Sequence, residues 1–106
     1  MRSLQDILER TWKLHCRGII TDNEFAMQFM GEIADRELDA VSTFQSLPDE
    51  YKPLIAGYVE STPIEKIRYM IIGYATEEYI RAQTEIWRSN TVKIRDYLSE
   101  QSGGPA

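Results

Sequence analysis

Apolar residues recur along this chain at intervals of three and four, the spacing that places side chains on one face of a helix. From Ser3 to Arg17, Leu4, Ile7, Leu8, Thr11 and Leu14 form one such stripe, with Trp12 beside it. Ser3 can cap the start with Asp6 three residues on, and Arg17-Gly18 suits the end. A cation there meets the last carbonyls, and glycine can take positive φ. Thr21 and Glu24 then stand as a capping box, with Ile20 and Phe25 spaced as a hydrophobic staple, ahead of Phe25, Ala26, Phe29, Met30 and Ile33. A second helix is expected there, forming an antiparallel hairpin or a sharp corner with the first because the connection is short.

The pattern is less decisive further on. The second helix is expected to give way near Ala34-Asp35 to a short third one carrying Leu38, Val41 and Phe44, although no strong breaker lies between Glu32 and Gln45. A fresh start is expected at Ser46-Leu47-Pro48-Asp49, where cap, first-turn proline and box acid coincide. Tyr51, Leu54, Ile55, Tyr58 and Val59 follow on one face, with Pro53 making the first turn irregular. Ser61-Thr62-Pro63-Ile64-Glu65 repeats the entry signal before Ile64, Ile67, Met70, Ile71 and Tyr74. The uninterrupted apolar run Tyr69 to Ala75, with adjacent β-branched residues, allows both a helix buried on several sides and an extended stretch over 67–75; length favours the helix. Gly73 weakens its middle, so either the helix kinks there or a new one starts at Thr76 ahead of Glu77 and Glu78; the last helix is expected to reach Ser99 and to bury Ile80, Trp87, Ile94 and Leu98.

These stripes define an all-α domain over residues 1–100, a compact bundle of five to six short helices in orthogonal or up-down packing, with a Ser/Gly/Pro tail at 101–106 expected to be disordered. The apolar share of 42% and the eleven aromatic side chains set disorder of the whole chain aside, because they can supply a core. One cysteine, Cys16, excludes an internal disulfide, so a reducing cytoplasm and no disulfide-linked partner are expected. No apolar run is long enough for a signal peptide or a membrane span.

Charge narrows the partners. Seventeen acidic residues outnumber twelve basic ones, a net charge of −5, which argues against nucleic acid. Between Asp22 and Glu60 nine acidic residues face two basic ones, a balance of −7, and an acidic patch of that kind steers a basic protein partner. Glu32, Asp35 and Asp39 would share a face if the second helix ran on, although Glu32 is also placed to pair with Arg36 on a solvated surface. Arg81, Arg88 and Arg95 recur every seven residues on the last helix, interleaved with acids that suit a salt-bridged face. Tyr69, Ile72 and Tyr79 fall off the best apolar stripes and would mark a partner or self-association surface if exposed together.

Catalytic or ligating patterns are absent from the sequence. His15 and Cys16 are adjacent, so on a helix they diverge by about 100° and cannot act on one atom or metal. There is no second histidine or cysteine for a zinc set and no Gly-rich phosphate loop. A partly buried thiol beside a surface imidazole is expected, with no cofactor and no metal. Small acidic all-α immunity proteins, which neutralise basic nuclease toxins, are similar in size, charge sign and helix class, but their paired-tyrosine motif is absent here. The sequence is read as a non-enzymatic protein-protein interaction module contacting its partner, or a second copy, through Glu32, Asp35, Asp39, Tyr69, Ile72 and Tyr79. The alternatives are a small helical ligand-binding or enzymatic domain, with a pocket among Trp12, Phe29, Tyr74 and Trp87, and a structural subunit of a larger assembly.

Overall fold

In the computed structural model, which describes residues 2–69 and 75–102, the second helix is the centre of the fold. The elements are α1 (Leu4–Cys16), α2 (Asp22–Asp35), α3 (Ala40–Gln45), α4 (Lys52–Ser61), a 3₁₀ turn (Ile64–Lys66) and α5 (Glu77–Ser102). No strand occurs among the described residues, and the fold is all-α. Helix α2 packs against α1, α4 and α5, while α5 also covers α3 and α4. Its buried face, Phe25, Ala26, Phe29, Met30, Ile33 and Ala34, is at most 1% exposed. Tyr51, Ile55, Tyr58 and Val59 of α4 and its entry, Phe44 of α3, and Trp87 and Ile94 of α5 close over that face.

The local signals explain most element ends. Ser3 Oγ accepts the Asp6 N–H at 3.1 Å, and the Thr21–Glu24 capping box is reciprocal, with contacts of 3.1 and 2.9 Å. Gly18 at φ +75° ends α1: its N–H donates to His15 O and the Ile19 N–H to Leu14 O, both 3.0 Å, the doubly bonded C-terminal turn that glycine makes easy. The end of α2 has the same geometry without glycine. Glu37 sits at φ +54°, donates to Ala34 O at 3.2 Å, and the Leu38 N–H reaches Ile33 O at 3.0 Å. Helices two and three are therefore separate. Asp39 then caps α3 by accepting the Ser42 N–H at 2.9 Å.

Four expectations change. The stripe of α1 is rotated: Leu8 is buried and Leu4 and Trp12 pack on the core, but Leu14 is 40% exposed. The fourth helix starts at Lys52 and not at Ser46, which instead closes α3. A helix begun at Pro48 would leave Asp49 O without its donor, because Pro53 has no N–H; starting at Lys52 puts Pro53 in the first turn, where none is needed. The entry signal at Thr62-Pro63 yields one 3₁₀ turn, after which Ile67 is extended at φ −72°, ψ 129°. The remainder of the expected helix, at 70–74, lies outside the described residues. Finally, α5 runs to Ser102, so residues 101 and 102 are helical and not part of a tail, while 103–106 also lie outside the described residues.

The extended segment is held from α5. Arg95 donates from Nε to Val59 O at 2.7 Å and from Nη2 to Thr62 O at 2.6 Å. One heptad earlier, Arg88 donates to Ile67 O at 3.1 Å and Glu65 O at 3.2 Å, and Thr84 Oγ1 accepts the Tyr69 N–H at 3.0 Å. A continued helix would have used Glu65 O for that Tyr69 N–H. Two arginines and a threonine satisfy these backbone groups without an α-helix, so the β-branched Ile67 stays extended and Ile64 enters only the single 3₁₀ turn.

Candidate functional site

Among the described residues, one face of α2 is left open. Glu24, Gln28, Gly31, Glu32 and Asp35 lie on successive turns of that helix and border a groove of about 470 Å³. Leu14 of α1 and Trp87 of α5 line its floor, and Thr11 of α1, Ile20 of the first connection and Tyr69 stand at its sides. Gly31 matters at the midpoint. With no side chain there, the six-membered ring of Trp87 lies 3.8 Å from where a β-carbon would stand. Met27 adds an unbranched, polarisable side chain that adapts to irregular surfaces. Neither lysine nor arginine lines the groove among the described residues.

Asp35, Tyr69 and Tyr79 come together at one end of this groove. The Tyr69 hydroxyl donates to Asp35 Oδ1 at 3.0 Å, across 34 residues of sequence. The Tyr69 ring meets Tyr79 edge-on at a centroid distance of 5.9 Å and Trp87 at 6.0 Å. Burial, and then the hydrogen bond to the Asp35 carboxylate, push the Tyr69 hydroxyl well above the ordinary phenol range, because both favour the neutral form. Tyr79 is 41% exposed and completes the cluster on the solvent side.

Glu32 borders the same groove but is already partnered: it accepts from Arg36 Nε at 3.1 Å and from Gln28 at 3.3 Å. Arg36 also donates to Arg2 O at 2.7 Å, tying the entry of α1 to the end of α2. Asp39 is not on this face. Helix α2 stops at Asp35, and Asp39 serves as the α3 cap, where the Ser42 N–H and hydroxyl hold its carboxyl below the usual range. Ile72 lies outside the described residues. Of the six residues read from sequence, Glu32, Asp35, Tyr69 and Tyr79 are near one another, and Asp39 has a local structural task.

The groove floor escaped sequence reading. In the sequence Leu14 belongs to the α1 core stripe, Trp87 to the core or to a pocket with Trp12, Phe29 and Tyr74, and Gly31 to no pattern. Thr84 and Thr91 are buried on α5, where Thr84 anchors Tyr69 and Thr91 donates to Trp87 O at 2.8 Å.

The pair His15 and Cys16 is reversed in exposure. The Cys16 thiol is exposed, whereas the His15 ring stacks on Trp12 at 5.0 Å and its Nε2 lies 2.5 Å from Asp22 Oδ1, linking α1 to α2. Trp12 in turn packs on Phe25 and Tyr51, so the two tryptophans anchor separate aromatic groups: Trp12 with His15, Phe25 and Tyr51, and Trp87 with Tyr69. A pocket shared by Trp12 and Trp87 is not formed by these contacts, and Phe29 is fully buried; Tyr74 lies outside the described residues. Among the described residues no group of three or more His, Cys, Asp or Glu is arranged to hold a metal ion, and no helix is long and apolar enough to cross a membrane.

The fold and groove define the class: an all-α domain with an acidic-rimmed apolar groove along its central helix. No protein-family model matches the chain, and neither the curated proteins nor the solved structures include one that is similar to it.

Proposed function

We propose that this chain is a non-enzymatic interaction module that binds a basic protein through the open face of α2, in the manner of an acidic inhibitor. The reading is carried by one juxtaposition: an apolar floor, including the 40%-exposed Leu14, bordered by Glu24, Glu32 and Asp35 with no cation lining it among the described residues. Desolvating an apolar floor supplies affinity, and carboxylates at its border raise the rate of encounter with a positive surface. The partly wet tyrosine pair beside it adds rigid amphipathic contact area of the sort enriched at interfaces. The sequence-wide balance of −7 over 22–60 extends the same field beyond the groove.

The test is affinity capture from a native lysate with the wild-type chain and an Asp35→Arg variant as baits, eluted in rising salt and read by quantitative mass spectrometry. A basic protein retained by the wild type, released as salt rises and depleted about tenfold or more on the variant supports the reading. Retention that ignores both salt and the variant, or no reproducible retention, overturns it.

A further inference from the structure

We infer that the occupant of this groove is a basic amphipathic helix of the partner, lying along α2 with its apolar stripe on the Leu14–Met27–Trp87 floor and cations over Glu24 and Asp35. This rests on the interaction reading and makes it specific. The groove follows α2 through one bordering residue per turn, from Glu24 through Gln28 and Gly31 to Asp35. Eleven residues of helix rise about 16 Å and complete just over three turns, so Glu24 and Asp35 lie on the same side of α2. Another helix beside it carries side chains with the same repeat. Two Lys or Arg residues eleven positions apart therefore meet both carboxylates, while apolar residues between them face the floor.

Three observations select a helix over other peptide shapes. The described walls are helical or come from short connections, with no strand edge among the described residues to pair with an extended peptide. Gly31 carries no side chain at the midpoint, and the Trp87 ring lies 3.8 Å from where its β-carbon would stand, so an aromatic face takes the place of an α2 side chain there. Met27 accommodates varied apolar side chains, a property of grooves that accept helices. Charge selects the sign: Arg36 offsets Glu32, leaving Glu24 and Asp35 to set the field at the two ends. Glu24 Oε1 accepts the Thr21 N–H and Asp35 Oδ1 the Tyr69 hydroxyl, so both carboxylates are held in place before a partner arrives.

The probe is a labelled, end-blocked peptide of Ala, Leu and Lys, about sixteen residues long, with two Lys eleven positions apart flanking Leu at helical spacing. Its control has the same composition shuffled so that no apolar stripe forms. Fluorescence anisotropy should show the patterned peptide binding about tenfold or more tightly than the shuffled one, with affinity falling as salt rises. Gly31→Leu, which fills the midpoint without altering charge, and Leu14→Ser, which thins the floor at an exposed position, should each weaken the patterned peptide by about fivefold or more. Asp35→Asn should flatten the salt dependence. Circular dichroism checks that each variant keeps its helices. Equal binding of both peptides, or full binding by both Gly31→Leu and Leu14→Ser, overturns the inference. If the patterned peptide fails while lysate capture remains dependent on Asp35, the helical occupant is wrong and the interaction reading stands.

Discussion

Glu37 occupies a backbone conformation that its side chain disfavours. At φ +54° its β-carbon crowds the neighbouring carbonyl, a cost of about 1–2 kcal/mol for an L-residue, whereas Gly18 performs the same turn at φ +75° without it. Glu37→Gly removes that crowding but gives the unfolded chain more freedom, which offsets about 0.4–1 kcal/mol of the gain. The net outcome is a stabilisation of about 0.5–1 kcal/mol, read as a higher urea midpoint at unchanged slope. Gly18→Ala moves the other way, although its β-carbon would meet nothing within 4 Å, because the strain is in the backbone and not in the space. The contrast explains what single residues disclose. Gly18, Ser3 and the Thr21–Glu24 pair announce their tasks by type, while a glutamate in the left-handed region announces nothing, and Asp39 was read as a surface acid when it is a cap.

At the scale of elements, short-range signals succeed until a distant side chain competes for the same backbone groups. Thr62, Pro63 and Glu65 spell a helix entry, yet the carbonyls of Val59, Thr62, Glu65 and Ile67 are taken by Arg95 and Arg88, from more than twenty residues away. Their heptad spacing was visible, but a salt-bridged face was the expected use. Among the described residues, the long Arg88–Glu85 contact, at 4.0 Å, is the one ion pair in that set. Arg95→Lys keeps the charge and loses the planar fork that reaches two carbonyls at once. Hydrogen bonds from charged donors are worth about 1.5–3 kcal/mol each, and lysine can recover part of one, so a loss of about 2 kcal/mol is expected in chemical denaturation. Native-state hydrogen exchange should localise it, with protection falling first at the end of α4 and in the 3₁₀ turn. A uniform loss across all helices would show that Arg95 supports the core and not the connection.

For the molecule as a whole, the core was legible because burial on α2 recurs at helical spacing, Phe25, Phe29, Met30 and Ile33 all being 0% exposed. The groove was not, because it is the face α2 leaves uncovered among the described residues, and the rest of its lining comes from four other parts of the chain. Burial that gathers around tyrosines also sets how the fold meets alkali. Burial is the main cause raising the hydroxyls of Tyr51, Tyr58 and Tyr69 above the ordinary value of 10.0, with the Asp35 hydrogen bond adding to Tyr69. A phenol whose folded pKa is raised contributes fully below its unfolded pKa, where both states hold the proton. As pH climbs past 10.0 the unfolded chain releases protons that the folded chain keeps, so the balance moves towards unfolding. The urea midpoint should hold level up to about pH 9 and then decline, with tyrosinate absorbance lagging the pH in the folded chain and catching up on unfolding. Tyr69→Phe deletes the group most displaced. It should lower the midpoint at neutral pH by the lost Asp35 hydrogen bond, about 0.5–1.5 kcal/mol, yet make the alkaline decline shallower than in the wild type. The two proteins differ only at that hydroxyl, so the difference between the two slopes belongs to Tyr69. An identical slope would mean that its hydroxyl is as free in the folded chain as in the unfolded one, and that the Asp35–Tyr69 link at the end of the groove does not persist in solution.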